Sequence, residues 1–353
     1  MSFGLVKLGR LGSLGGGGGS LLKWILTITK TGNGTVDPDV GSHKYAKDSN
    51  VTVTATETDA DYYFEKFVED SVDKTTNPLT VTMLANKLIN CIFKEKIQIL
   101  TTTQTASNVQ IPLTLLIDSG KKVKIDWGNG TITEAIGTGV AVVYTSNYSG
   151  AGTFNIKFFG DTAFIKSFGI VSTDAVMTLP FGIVNWKKLT GLTSLTLYAL
   201  PNFTSTGNHI DLPRVTNYMR LYSLPNFTST GNHIDLPRVT DTLYLYALPN
   251  FTSTGNISTI PNVTTTLYIT LCPLVSITVD TPPTWTTTTI TLQVGWSTAN
   301  VDLFIVNWAQ VTGASTKTVN IAGNNGLVST GDSAVAAALV VLQNKLKSML
   351  YNY

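Results

Sequence analysis

Prolines return at a fixed step through the second half of this chain, and that step limits the fold more than any other feature. Pro201, Pro225, Pro249 and Pro273 are spaced by 24 residues, and Pro213, Pro237 and Pro261 fall halfway between. Each repeat therefore has two halves of twelve. LPNFTSTGNHID at 200–211 returns unchanged at 224–235, and LPRVT opens both 212–223 and 236–247. Such identity at a fixed period marks a solenoid, in which each repeat buries its apolar side only by stacking on its neighbours.

The strand phase can be read from the same repeats. Leu195, Leu197 and Ala199 alternate with Thr196 and Tyr198. Leu221 and Ser223 alternate with Arg220 and Tyr222, and Leu243, Leu245 and Ala247 with Tyr244 and Tyr246. Side chains along a strand point to opposite faces, and the small and aliphatic set belongs inside. Equivalent residues of stacked coils lie about 4.8 Å apart. The outward set then forms two columns, Tyr198, Tyr222 and Tyr246 in one, and Arg220, Tyr244 and Tyr268 in the other. These six residues are the candidate ligand-binding face, with flat rings suited to stacking on sugars. Phe203, Phe227 and Phe251 are expected to stack inside.

The solenoid is read over 179–325. IVNWKKLTG at 183–191 is echoed by IVNWAQVTG at 305–313. Eleven residues separate Trp186 from Leu197 and Trp308 from Val319, so degenerate coils are expected to the end of that range. Residues 326–353 are read as a cap, with the chain's only clear helix. Asp332 or Ser333 would cap its N-terminus, and Val335, Leu339, Leu342 and Leu346 form its apolar stripe. A short strand, MLYNY, follows. The helix is expected to cover the exposed end of the coils. The pattern LTLYALPNFTS resembles surface-antigen-type leucine-rich repeats.

Two β modules precede the coils. In 21–96, strand WILTITKT meets Asn33-Gly34, the pair favoured in a type I′ hairpin turn. Alternation in VTVTATE puts Val51, Val53 and Ala55 on one face, and Tyr63, Phe64 and Phe67 read as core. LTITKTGNGTVDPDVGSHKYAKDSNVTVTATE, the aromatic run after it, NPLTVTM and a closing strand resemble the internalin-B-type B-repeat. Glu65-Lys66-Phe67 stands where that family has Gly-Trp. The resemblance implies a spacer or stalk on a bacterial or phage surface. In 97–178, Asp126-Trp127-Gly128-Asn129-Gly130 and Tyr148 to Phe158 resemble the polycystic-kidney-disease type of immunoglobulin-like domain, with Asn129 in place of the family's Asp. The fold class expected is mainly β: two small β modules, then a leucine-rich-like solenoid with a C-terminal capping helix.

Chemistry is sparse. His209 and His233 share one repeat position beside Asp211 and Asp235. They read as a repeated surface position, because the ladder breaks at Ser258 and no third ligand is in view. Asp211, Asp235, Asp241 and Asp280 are few candidates for paired carboxylates. No nucleophile elbow or phosphate loop is present. Cys91 and Cys272 sit in apolar runs and read as core residues. Asn202, Asn226, Asn250, Asn256 and Asn262 read as turn ladders. No cofactor, metal or enzymatic activity is expected. A net charge of +2 gives no reason to expect nucleic acid, and no apolar run is long enough to span a membrane.

Residues 1–20 alternate apolar residues with glycine and basic residues, then run Gly15 to Gly19. They lack the continuous apolar stretch of a signal peptide. They are read as an anchoring arm, with Leu5, Leu8, Leu11 and Leu14 seated in a virion partner. Arm, spacers and exposed repeats together resemble a phage tail or head fibre. Such a protein is made in the host cytoplasm, placed on the virion surface, homo-oligomeric, and directed at a host-surface glycan or protein. A bacterial adhesin and a carbohydrate-active enzyme are the alternatives.

Overall fold

The computed structural model describes residues 22–104, 109–171, 181–183, 185, 188–204, 208–209, 212, 215–236, 238–279, 287, 289–310, 318–323, 325–346 and 348–351. Leu5, Leu8, Leu11, Leu14, Trp186, Asp211 and Asp280 lie outside them. The chain divides into two compact units, the first ending at Glu95 and the second beginning at Lys96.

The first unit holds β1 (Lys23–Thr31), β2 (Thr35–Asp37), β3 (Gly41–Ala46), β4 (Asn50–Thr56), β5 (Tyr62–Glu69), β6 (Val72–Lys74), β7 (Leu79–Thr82) and β8 (Lys87–Glu95). One sheet runs β3-β1-β8-β5-β6 and another β2-β4-β7. Leu26, Ile28, Val53, Phe67, Val81, Cys91 and Phe93 fill the core, with Val51 and Ala55 on the same buried side. Tyr63 is buried and Phe64 packs on the core's flank.

Asn33-Gly34 does not close a hairpin. β1 pairs with β3 and β8, whereas β2 pairs with β4 in the other sheet. The positive φ falls on Gly32, at 84°. A Cβ on Gly34 would lie 2.3 Å from the Phe93 ring, and one on Gly32 would lie 2.1 Å from the Phe93 carbonyl oxygen. These glycines let the chain cross between sheets against a buried aromatic ring.

In the second unit, β9 (Ile97–Gln104), β10 (Val109–Ile117), β11 (Lys122–Asp126), β12 (Ile132–Ile136), β13 (Ala141–Tyr148), β14 (Gly152–Gly160) and β15 (Ile165–Val171) come first. Two sheets enclose Trp127, Tyr148, Phe158 and Phe168, all fully buried. The Tyr148 hydroxyl donates to the Trp127 carbonyl at 3.0 Å, and Trp127 Nε1 donates to Thr133 Oγ1 at 2.9 Å. Asn129 is fully occupied in its loop: Nδ2 donates to Ser146 and Asn147, and Oδ1 accepts from the Thr131 amide.

The coils follow as β16 (Phe181–Ile183), β17 (Ser194–Tyr198), β18 (Phe203–Thr204), β19 (Tyr218–Tyr222), β20 (Thr242–Tyr246), β21 (Ser253–Asn256), β22 (Thr266–Thr270), β23 (Val275–Thr278), β24 (Thr289–Gln293), α1 (Thr298–Ala309), β25 (Thr318–Asn320), α2 (Ser333–Lys345) and β26 (Ser348–Leu350). This is a β-solenoid of about four turns followed by helical returns. Its main sheet continues that of the preceding module, in the order β13-β10-β15-β17-β19-β20-β22-β24-β25-β26. The module boundary expected at 178 is therefore crossed by one sheet and one core. β15 pairs in parallel with β17, so the module's last strand supplies the first edge on which a coil can stack.

Leu195, Met219, Leu243, Leu267, Ile290, Val319 and Met349 form one inward column by register. Val319 thus aligns with Leu195, not with Leu197. Phe203, Phe227 and Phe251 stack inside with ring centroids 5.7 and 5.9 Å apart. Ala199, Ser223 and Ala247, expected inside, sit at a corner instead. With Leu271 they adopt φ between 51° and 54°. The amides of Ala199 and Ser223 each donate to the next coil's carbonyl at 2.9 Å. That left-handed corner costs about 1 kcal/mol per residue, and the inter-coil hydrogen bond offsets it.

The C-terminal end differs from the expectation in two ways. The second IVNW lies in α1, not in an extended coil. Ser297 caps α1, and Val301, Phe304, Ile305 and Trp308 are its buried stripe at helical spacing. Asp332 caps α2 through the Ala334 and Val335 amides, and Val335, Leu339, Leu342 and Leu346 are buried as expected. However, α2 lies between β25 and β26, two strands paired in parallel. It closes the C-terminal end of the solenoid as the return limb of a last coil. No helix among the described residues is long and apolar enough to cross a membrane.

Candidate functional site

Strands β17, β19, β20 and β22 read SLTLY, YMRLY, TLYLY and TLYIT. Their alternate residues Leu195, Leu197, Met219, Leu221, Leu243, Leu245, Leu267 and Ile269 are at most 1% exposed. The other alternate set is left facing outward. In-register parallel pairing places Tyr198 beside Tyr222 and Tyr222 beside Tyr246, and Arg220 beside Tyr244 and Tyr244 beside Tyr268. All six candidate residues are thus brought together on one face, each half-buried.

The rings pack against one another along the solenoid axis. Tyr198 and Tyr222 are 4.5 Å apart and 10° from parallel, Tyr222 and Tyr246 are 4.6 Å and 13°, and Tyr244 and Tyr268 are 4.3 Å and 5°. Both faces of Tyr222 are therefore covered by protein. The expected mode, sugar rings lying flat on each tyrosine, is available only at the ends of the stacks. Elsewhere the surface offers ring edges and hydroxyls, repeated at the coil spacing.

Arg220 lies among these rings. Its guanidinium carbon is 5.1 Å from the Tyr198 and Tyr244 ring centroids and 5.5 Å from that of Tyr222. A guanidinium within about 6 Å of a ring face is attracted by the ring's quadrupole. Its Nε is inaccessible to solvent and meets no acceptor. Burial, then the neighbouring Tyr268, pushes the Tyr244 phenol up to about 12. Burial and the phenols of Tyr198 and Tyr246 raise Tyr222 as well. These phenols therefore stay neutral in ordinary buffers and act as paired donors and acceptors.

The histidines are placed against expectation. His209 and His233 are at most 1% exposed, inside the coil, not on its surface. His233 Nδ1 lies 2.6 Å from Ser253 Oγ, and His209 Nδ1 lies 3.5 Å from Ser229 Oγ. Neither Nε2 makes a well-formed hydrogen bond, although the backbone of the next coil approaches each ring, at Thr252 for His209 and at Ser276 for His233. Glycine makes the room: a Cβ on Gly231 would stand 2.8 Å from His209 Cδ2, and one on Gly255 would stand 3.0 Å from His233 Cδ2. Burial pulls both imidazoles down to about 4. The equivalent position one repeat later is Ile257, fully buried, which shows the site's apolar character. Asp235, by contrast, holds the Asn232 amide in a capping box. Among the described residues no group of three His, Cys, Asp or Glu side chains could hold a metal ion.

The turn asparagines do form ladders. Asn226 and Asn250 donate to the carbonyls of Pro201 and Pro225 at 2.7 and 2.6 Å. Asp241 is drawn into the same framework, accepting from the Thr242 and Thr265 hydroxyls. Both cysteines are buried and free.

Comparison with curated proteins and comparison with solved structures each gave no match. Residues 25–97, which begin in β1 and run two residues past the end of the first unit, match the family model of the divergent InlB B-repeat domain.

Proposed function

We propose that this chain is a surface-attachment protein of adhesin type that works by binding and not by catalysis. The observation that carries this reading is the aromatic face spread over four in-register strands of the β-solenoid. A B-repeat-like module in the same chain as such a solenoid is compatible with that role. Asp235 and Asp241, two of the solenoid's acids, are engaged in holding backbone and threonine hydroxyls, which further favours binding over hydrolysis.

The finer reading is a phage virion fibre on the particle surface. Residues 1–20 would hold it there through Leu5, Leu8, Leu11 and Leu14, and the tyrosine face would meet a host-surface glycan or protein. A bacterial cell-surface adhesin is the second reading, favoured by the same module match. Replacing Tyr222, Tyr244 and Tyr246 together by Ser tests the face. The folded variant should lose attachment to host cells, and attachment at the parent's level would reject the proposal. Deleting residues 2–19 tests the arm: the truncated protein should stay soluble and fail to join the particle, and normal incorporation would reject that part.

A further inference from the structure

We propose that the aromatic face selects glycans bearing an oxyanion, with Arg220 seating the acidic group and the tyrosine hydroxyls seating the sugar hydroxyls. The inference rests on the attachment reading above and names the ligand class for the same face.

Charge supplies the first argument. None of the strands SLTLY, YMRLY, TLYLY and TLYIT contains an acidic residue, and Arg220 is the one charged residue in them. Arg220 forms no ion pair among the described residues. A surface guanidinium commonly finds a carboxylate nearby. Here it is surrounded by three phenol rings instead, which hold it in place without neutralising it. With Nε shut off from solvent, the remaining N–H donors are the terminal ones. That fork matches a carboxylate, sulfate or phosphate, and such charge-assisted pairs are about twice as strong as neutral ones.

Shape supplies the second. Because the rings stack on each other, their flat faces are covered along the column, and the surface offers ring edges in their place. It shows hydroxyls repeated at the ring spacings of 4.3 to 4.6 Å. They are flanked by the half-buried Thr196 and Thr266, and the raised Tyr244 phenol stays protonated. A row of neutral donor–acceptor groups around one fixed cation suits a polyhydroxylated chain with an acidic substituent better than it suits an acidic peptide.

The test uses the full chain and four polymers: polygalacturonate, dextran sulfate, neutral dextran and poly-glutamate. Polygalacturonate or dextran sulfate should bind at least tenfold more tightly than dextran, and which of the two binds better identifies carboxylate or sulfate as the preferred oxyanion. Arg220→Met keeps the apolar stem over the rings and should abolish that preference, whereas Arg220→Lys should restore part of it. Raising the salt concentration should weaken the parent's binding and leave the Met variant's unchanged. Poly-glutamate binding as tightly as the acidic glycans would overturn the glycan assignment. Equal binding of acidic and neutral polymers, or of the parent and Arg220→Met, would overturn the role of Arg220. If cell attachment falls in the Tyr222/Tyr244/Tyr246 serine variant but not in Arg220→Met, the face stands and this inference fails. If neither variant changes attachment, both fail together.

Discussion

The outer tyrosines and the buried histidines are both repeated at a step of 24, yet one set faces solvent and the other is sealed inside the coil. The difference lies in the local backbone. Tyr222 and Tyr246 occupy strands, where alternation decides which residues face in. His233 occupies a single 3-10 turn, where no alternation holds. There the imidazole goes inward and its neighbour Ile234 is left 73% exposed. A repeat period shows which residues stack, and only a regular element shows on which side.

The largest expected effect comes from breaking the inward side of the strand. Leu221 is fully buried, and Leu221→Asp places an unpaired charge there. The loss should be at least several kcal/mol, enough to abolish a cooperative melting transition. Tyr222→Ser, one residue along, should retain that transition.

The histidines come next. Their folded pKa of about 4 lies below the unfolded value of 6.5. The unfolded chain therefore binds more protons between those limits, and stability falls as pH drops from 6.5 towards 4. The full loss is roughly 3 kcal/mol for each histidine. His233→Ile installs the residue that the next coil carries and should remove about half of this acid sensitivity. Denaturant midpoints measured at pH 7 and pH 4.5 check it. An unchanged pH dependence would show that the imidazole is solvated.

Gly231→Ala sharpens the same point at smaller scale. Its Cβ would press on the His209 ring, with a cost on the order of 1–3 kcal/mol. In a His209→Ala background that cost should shrink, and a double-mutant cycle reads the coupling. Simple additivity would mean the glycine serves its own backbone only.

Tyr222→Ser is the mildest of the four changes. The ring stacks between two others but is half-exposed, so a cost of about 1 kcal/mol is expected. A loss approaching that of Leu221→Asp would mean that the strand phase is off by one residue.

The strand half of each coil was legible in the sequence because alternation and period agree there. The six face residues, the inward leucines and the phenylalanine stack all follow from those two rules. The return half was not legible in the same way. His209 and His233 read as surface because imidazole is polar, and the signal that they turn inward is the glycine facing each ring from the neighbouring coil. Ala199 and Ser223 read as inward because alternation was carried one residue past the strand, into a left-handed corner. IVNW at 305–308 read as part of a degenerate coil because it echoes 183–186 and stands eleven residues before an apolar strand position. The helical spacing of Val301, Phe304, Ile305 and Trp308 was the better guide. Asn33-Gly34 shows the same limit, since a turn pair does not reveal which sheet the next strand will join.

The central claim is that the tyrosine face is the ligand face, and iodination of the folded chain tests it without any mutation. Tyrosine reactivity is mapped residue by residue on the free protein and on protein attached to host cells. Tyr198, Tyr222, Tyr244, Tyr246 and Tyr268 should all be protected on attachment, while Tyr45 and Tyr62 in the first unit keep their reactivity. Attachment that leaves the five face tyrosines as reactive as before would contradict the account.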